Sequence, residues 1–322
     1  MMIKPVMLIT GATGFIGRNL VEHFIEADTY EIIGVYHHRP PYEMAGLRWI
    51  CADLTKSEDS RRVLEGVDVL LQAAATTSGA KDIVSRPHIH IADNAVMNSY
   101  LFRSAHDLKV PHVVFFSCSV MLKPSDQPQS ESDFDESEKI HHNYFGGAWT
   151  KVYLEKMAEF YSRLGHTKYT VIRHSNVYGP HDKFDLERSH VFGATLTKVM
   201  TAKDKVSVWG SGEEERDLLY VEDLTRFVEL AVNNVATSYN LYHCGAGQTV
   251  KIKDLVNQVI NISGKKLSVM HDLTKPTIPT NIRLDSTKAM KDLGWKSEIS
   301  LDEGIKKTIA WWNKNINVSS AN

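Results

Sequence analysis

At 322 residues, with 43% hydrophobic and 24% charged side chains, the chain has the balance of an ordinary globular protein and room for one large α/β domain or two lobes. A formal net charge of −2 gives no electrostatic case for nucleic acid or an anionic membrane, and Cys51, Cys118 and Cys244 lack the spacing of a disulfide framework or a metal site. No apolar run approaches membrane-spanning length, and residues 1–5 lead straight into the first strand without room for a signal peptide, so a cytoplasmic protein without a metal is expected.

The first stretch, Val6-Met7-Leu8-Ile9-Thr10, is an apolar, partly β-branched run. It gives way to Gly11-Ala12-Thr13-Gly14-Phe15-Ile16-Gly17, after which Ile16, Leu20 and Phe24 recur at the spacing of one helix face. Strand, glycine turn and helix together predict a dinucleotide site. Gly11 serves the sharp turn, Gly14 the approach of backbone to a pyrophosphate and Gly17 the close packing of helix on strand. The free N–H groups of the helix start would face the phosphates.

The second strand is expected at residues 31–36. Its end is where an NAD enzyme offers a carboxylate to the ribose 2′-hydroxyl, but His37, His38 and Arg39 stand there. Arg39 alone reads equally well as a solvated turn residue or as the partner of a 2′-phosphate. The missing acid tips the expectation to NADP(H), with NAD as the alternative. A short strand near 47–51 precedes Asp53-Leu54, a helical stretch includes Val63 and Leu64, and a buried strand over 67–71 runs into Gln72-Ala73-Ala74-Ala75, whose small side chains would let backbone lie against a flat ring. A helix is expected over 93–108 and a strand over 113–116, ending at Ser117-Cys118-Ser119. Ligands of open parallel sheets sit at such strand ends.

Residues 123–142 hold Pro124, Pro128 and six acidic residues with little apolar periodicity, the pattern of a surface loop and a candidate lid. Leu154, Met157, Ala158, Tyr161 and Leu164 mark a long amphipathic helix. The strand at 169–172 ends in Arg173-His174-Ser175-Asn176, and beyond it the pattern loosens as in a smaller lobe. There, helices are expected near 222–233, over 252–259 up to Gly264, and from the capping box Ser300 to Glu303 through Leu301, Ile305, Ile309 and Trp312.

With these pieces in order the chain resembles the extended short-chain dehydrogenase/reductases that act on nucleotide sugars. The resemblance is carried by residues 11–17, Asp53-Leu54, Ala73-Ala74, Asn176-Val177-Tyr178-Gly179-Pro180, Trp209-Gly210-Ser211-Gly212, Arg216 with Tyr220-Val221-Glu222-Asp223-Leu224, and Leu293-Gly294-Trp295. Residues 178–184 and Ser189-His190-Val191 are most similar to the GDP-L-fucose synthases, which epimerise a 4-keto-6-deoxy GDP-sugar at carbons 3 and 5 and reduce carbon 4 with NADPH. The resemblance implies a Rossmann-type doubly wound parallel sheet with a smaller C-terminal α/β substrate-binding lobe. The cofactor-binding part would span 1–175 with a later return from about 215–247, the nucleotide-sugar lobe 176–322, and the enzyme would be a homodimer through helices 93–108 and 147–164.

The same resemblance assigns roles. His190 would be an acid or base for epimerisation, and Ser119 stands where the family has the partner cysteine, leaving Cys118 as a packing residue or a shifted thiol. Arg216 would bind the diphosphate, a task suited to a planar, permanently charged fork. Asn176, Trp209 and Arg283 are further candidates for substrate contact, each open to a structural role. Cofactor contacts would come from Gly11, Thr13, Gly14, Phe15, Ile16, Gly17, His37, Arg39, Asp53, Leu54, Ala73, Ala74 and Lys151. The family's hydride chemistry uses a Tyr-x-x-x-Lys pair with a serine, and Lys151 and Ser117 match it. The tyrosine position is Gly147, with Tyr144 as the nearest replacement. An epimerase/reductase acting through Ser117, a water or Tyr144, an isomerase-like enzyme using only His190, and a non-catalytic or engineered-inactive binding protein are the three readings, and retention of Lys151, Ser117, His190 and Arg216 favours an enzyme.

Overall fold

The computed structural model describes residues 4–316 apart from 78, 79, 187, 276 and 279, with residues 80 and 81 described in backbone only. In chain order come β1 (Val6–Thr10), α1 (Phe15–Ala27), β2 (Glu31–Tyr36), β3 (Leu47–Cys51), α2 (Ser57–Arg62), β4 (Val69–Gln72), α3 (Ala80–Ser85), α4 (Ala92–Asp107), β5 (His112–Phe116), α5 (Phe145–Arg163) and β6 (Lys168–His174). The second half continues with β7 (Asn176–Tyr178), α6 (Val191–Thr201), β8 (Lys205–Trp209), β9 (Glu215–Tyr220), α7 (Val221–Asn233), β10 (Tyr239–Cys244), β11 (Thr249–Lys251), α8 (Ile252–Ser263), β12 (Ser268–Asp272), α9 (Thr287–Leu293) and α10 (Leu301–Asn315).

Seven strands form one parallel sheet in the order β10-β6-β5-β4-β1-β2-β3. The chain leaves β1 toward β3, then returns to the other side of β1 as β4, β5 and β6. The order therefore reverses between β1 and β4, the place where open α/β sheets bind ligands at their carboxyl ends. Both faces are covered, which is why the strands are runs of Val, Ile, Leu and Phe rather than alternations. Phe24, Ile9, Phe116, Ile172 and the α7 residues Leu224 and Phe227 fill one face, and Leu8, Leu101, Phe102, Phe115, Leu154 and Val171 the other. A third cluster, around Tyr178, Phe192, Leu196, Val256, Ile305 and Trp312, is the core of the smaller lobe, where β7, β9 and β11 make one sheet and β8 and β12 another.

The expected strands and long helices form within a residue or two of their predicted bounds. The helix expected to reach Val63 and Leu64 stops at Arg62, and both residues bury in the turn that follows. The acidic stretch 123–142 is tied down rather than free. Ser125 N donates to Asn281 O (2.8 Å), Gln129 N to Arg283 O (2.9 Å), and Asp285 N back to Gln129 O (2.7 Å). Glu131 Oε1 also accepts from His243 N (2.6 Å). Its backbone pairs both with 281–285 and with its own side chains, as in Ser130 N to Asp133 Oδ2 (2.7 Å) and Ser137 N to Asp135 Oδ1 (2.8 Å).

Candidate active site

The glycine turn is a cradle shaped by steric need. Gly11 has φ +62°, and a Cβ there would come within 2.8 Å of Ala74 Cα; a Cβ at Gly17 would run into the Gly11 carbonyl. Any larger residue would close the gap between β1, the start of α1 and the loop after β4. The floor of that loop is fixed by Gln72, whose Nε2 donates to Ala74 O (3.1 Å) and Asn98 Oδ1 (3.0 Å), while Thr10 Oγ1 accepts from Ala74 N (3.1 Å). Thr13, Gly14, Phe15 and Ile16 line the turn, Ala73 and Ala74 face it, and the shape fits a dinucleotide pyrophosphate and a flat ring.

At the end of β2, His37 and His38 lie ring on ring at 3.7 Å and are exposed. Arg39 Nη1 donates to Thr13 O (2.7 Å), which holds its guanidinium beside the glycine turn. Asp53 accepts from Thr55 Oγ1 (2.6 Å) and N (3.1 Å), and these bonds hold its carboxyl below the usual range; Leu54 is buried behind it. A cleft of about 790 Å³ opens between this region and the smaller lobe, lined by Thr13, Arg18, Arg39, Tyr42, Lys183 and Trp311 among others. Lys183 Nζ closes one wall by donating to Thr77 O (2.7 Å).

The carboxyl ends of β5 and β6 hold the next group. Lys151, on α5, donates from Nζ to Phe116 O (2.7 Å) and lies over the Phe115 ring at 4.6 Å. Burial lowers its pKa. Ser117 does not join it. Its hydroxyl donates to Glu155 Oε1 (2.5 Å), and Glu155 is locked to Arg173 by Nε (3.0 Å) and Nη2 (2.6 Å), with both side chains 4% exposed. The expectation that Ser117 moves a proton on a ligand is therefore corrected: its Oγ points into a buried ion pair on the α5 face. Ser119, two residues on, is partly exposed at the strand end and its hydroxyl is uncommitted among the described residues. Cys118 is enclosed near Lys151, and burial pushes its thiol up, so it stays protonated.

Tyr144 is also placed differently from the expectation that it could stand in beside Lys151. It precedes the first turn of α5, and the Arg216 guanidinium is near its hydroxyl. Gly147 leaves open space, since a Cβ there would meet nothing within 4 Å. Arg216 reaches across the smaller lobe, donating from Nη1 to Thr280 O (2.9 Å) and from Nη2 to Ile278 O (3.0 Å), so it ties Ile278 and Thr280 to β9. Asn176 Nδ2 donates to Asp217 O (3.3 Å) between β7 and β9, Arg283 Nη2 donates to Thr249 Oγ1 (3.2 Å) with its Nε buried and unpaired, and Trp209 carries Lys198 Nζ over its ring at 5.0 Å.

His190 precedes the first residue of α6. Its ring is open to solvent yet walled by protein. That crowding, with Lys183, His174 and His90 as its charged or chargeable neighbours, holds it below the ordinary imidazole range. It is a neutral imidazole at pH 7, able to accept a proton. Among the described residues no group of three or more His, Cys, Asp or Glu could hold a metal ion, and no helix is long and apolar enough to cross a membrane.

Comparison with known proteins matches residues 7–245 to the NAD dependent epimerase/dehydratase family. The match spans both sides of the glycine turn, the Lys151 helix and β10. The chain belongs to this family. It is 30% identical to GDP-L-fucose synthase of Escherichia coli (strain K12), covering 78% of this chain and 82% of that one. It is 26% identical to GDP-L-colitose synthase of Yersinia pseudotuberculosis, covering 95% and 97%. The fold is that of UDP-glucose 4-epimerase from Thermotoga maritima, with a TM-score of 0.85 at 24% identity over 96% of this chain and 99% of that one. As an enzyme of the epimerase/dehydratase family, the chain uses a nicotinamide dinucleotide, and the cradle of Gly11 and Gly17 fits it.

Three residues escaped the sequence reading. Glu155 and Arg173 tie α5 to β6, and no local pattern marks a pair 18 residues apart on different elements. His174 lies at the carboxyl end of β6, within electrostatic reach of Lys151 and His190; its position at a strand end was the available signal.

Proposed function

We propose that the chain is an NADP(H)-dependent nucleotide-sugar epimerase/reductase, with a GDP-hexose favoured as substrate. The observation that carries this reading is the anchoring of Lys151 on the Phe116 carbonyl, at the carboxyl end of β5, where open parallel sheets bind their ligands. In this reading residues 1–175, with the return of 215–247, hold the cofactor and 176–322 hold the sugar nucleotide. The diphosphate lies on Arg216, with Asn176, Trp209 and Arg283 around the nucleotide, and the hexose lies between Ser119 and His190. The names of the relatives, a GDP-L-fucose synthase and a GDP-L-colitose synthase, support a GDP-sugar.

The nicotinamide ring, when bound, supplies or accepts a hydride. The chain's own residues do the rest. Lys151 holds the ribose and adds positive charge beside the reacting oxygen. His190, neutral and exposed at the start of α6, takes a proton from a carbon next to a sugar carbonyl, and Ser119 is the candidate partner on the opposite side. NADP(H) is favoured because no carboxylate ends β2, and because Arg39 is pinned to Thr13 with Arg18, Lys183 and Arg188 around the same cleft. A homodimer through α4 and α5 is supported by exposed Val96, Tyr153, Phe160 and Leu164 on those helices and the residue just after them. A cytoplasmic location is part of the same reading. Incubation with GDP-4-keto-6-deoxymannose and NADPH, followed by product analysis, tests it: a reduced or epimerised GDP-sugar is expected, and recovery of unchanged substrate would refute it.

A further inference from the structure

Hydride exchange at a sugar carbon needs a group that moves the proton of the attached oxygen, and the usual provider is missing. Gly147 offers no side chain, Ser117 is committed to Glu155, and Tyr144 stands in the turn before α5, near the Arg216 guanidinium. Cys118 is an enclosed thiol. His174 remains among the described residues around Lys151.

Its geometry fixes its chemistry. His174 ends β6, beside the end of β5, and its ring centroid lies 6.4 Å from that of Phe116, the residue whose carbonyl holds Lys151 Nζ at 2.7 Å. Nδ1 lies 2.8 Å from Ser175 O. A carbonyl can only accept, so Nδ1 carries the hydrogen and Nε2 bears the lone pair. Nε2 has no partner within the chain among the described residues, and the ring is only partly buried, so this lone pair is available to a ligand.

We propose that His174, through Nε2, is the acid–base residue for the oxygen at the carbon that exchanges hydride, taking the role for which Gly147 has no side chain. This rests on the proposed nucleotide-sugar chemistry. In the oxidative direction the hydroxyl proton passes to Nε2 while the carbon loses hydride, with its electron pair, to the oxidised nicotinamide cofactor, so the C–O single bond becomes a carbonyl and the imidazole an imidazolium. In the reductive direction Nε2 first takes a proton from solvent to form the imidazolium; the carbonyl carbon then gains hydride from the reduced cofactor, the oxygen takes that proton from Nε2, and the imidazole returns to neutral. Burial first, and then the nearby Lys151 cation, hold His174 down to about 4, opposed by its bond to Ser175. The resting ring is therefore the neutral base, and an imidazolium formed beside Lys151 gives its proton back readily.

The test combines a spectrum and a rate. In protein labelled with ¹⁵N-histidine, with His174→Gln used for assignment, the ring is expected as the Nδ1–H tautomer, and its Nε2 signal is expected to move when NADP⁺ is added. An Nε2–H tautomer, or no change with cofactor bound, would overturn the proposal whatever the substrate proves to be. With GDP-4-keto-6-deoxymannose and NADPH in single turnover, His174→Gln should slow hydride transfer about 10²–10⁴-fold. NADPH affinity and deuterium wash-in at carbons 3 and 5 should stay within threefold of the unaltered protein. A rate within threefold of the unaltered protein would overturn it. His174→Asn serves if the glutamine variant does not fold. Absence of any GDP-hexose binding, read by calorimetry, counts against the sugar-nucleotide reading alone, and the spectra still decide the histidine's place.

Discussion

Glu155 is the residue whose removal should do most damage for the least visible change at the surface. Its carboxylate accepts from Ser117 Oγ, Arg173 Nε and Arg173 Nη2, and both charged side chains are 4% exposed. Glu155→Ala leaves the Arg173 guanidinium buried, with Glu131 O at 3.4 Å and the Phe134 ring at 5.4 Å but no carboxylate bound to it. Breaking one side of a buried pair costs about 3–5 kcal/mol. Ser117→Ala loses a single bond to a charged acceptor, about 1.5–3 kcal/mol at most, since Arg173 still occupies the carboxylate. Removing both charges with apolar residues of similar volume, Glu155→Leu with Arg173→Met, should cost far less than the sum of the single losses. Urea unfolding at pH 7, followed by circular dichroism with the slope compared across variants, measures all four. A Glu155→Ala loss below about 1 kcal/mol would refute the buried-pair reasoning. A Ser117→Ala variant with unchanged stability and a tenfold or greater drop in turnover would refute the structural role given to Ser117.

Arg216→Ala removes the proposed diphosphate partner and should weaken GDP-hexose binding roughly ten- to a hundredfold by calorimetry; an unchanged Kd would place the diphosphate elsewhere. Arg39→Ala should raise the Kd for NADPH about tenfold and leave NADH unaffected, so equal effects on both cofactors would remove the 2′-phosphate argument. Buried His112 and His243 are each held down to about 4 by burial, against 6.5 for an ordinary imidazole. The unfolded chain then binds protons that the folded one refuses. Stability should accordingly fall as pH drops from about 6.5 toward 4, by on the order of 2 kcal/mol per histidine at pH 5. A flat urea midpoint between pH 7.5 and 5 would contradict this. Gly147→Tyr has open space at its Cβ and sits one helical turn before Lys151. In a His174→Gln background it should restore hydride transfer by about 10²-fold or more, read as loss of NADPH absorbance in stopped flow.

Most of the scaffold was legible because its signals are local. The run 6–10, the glycines and the Ile16–Leu20–Phe24 spacing fall within one βαβ unit, and the later strands are short apolar runs ending in polar clusters. The strap 123–142 was legible only as irregular, because its partners at 281–285 lie more than 150 residues away. Side-chain direction was the main loss at the site. Ser117 and Ser119 are equally plausible on paper: both lie past the last residue of β5, so strand alternation does not separate them, and it takes the folded chain to show the Ser117 hydroxyl turned to Glu155. Tyr144 and Lys151 share a helical spacing, yet the α-helix begins at Phe145 and Tyr144 lies in the preceding turn, near Arg216. His174 needed the neighbouring strand and the Lys151 anchor before its lone pair meant anything.

The central claim is that this cleft couples hydride exchange to proton movement on a nucleotide sugar. Its most direct test uses GDP-4-keto-6-deoxymannose with NADPH carrying deuterium on the transferable position of the nicotinamide ring, analysed by mass spectrometry and proton NMR of the product. The account predicts one deuterium at carbon 4 of a reduced GDP-sugar, with solvent hydrogen exchanged at carbons 3 or 5. A sugar recovered without deuterium at carbon 4 and without exchange, from protein shown to bind both NADPH and the GDP-sugar, would contradict it.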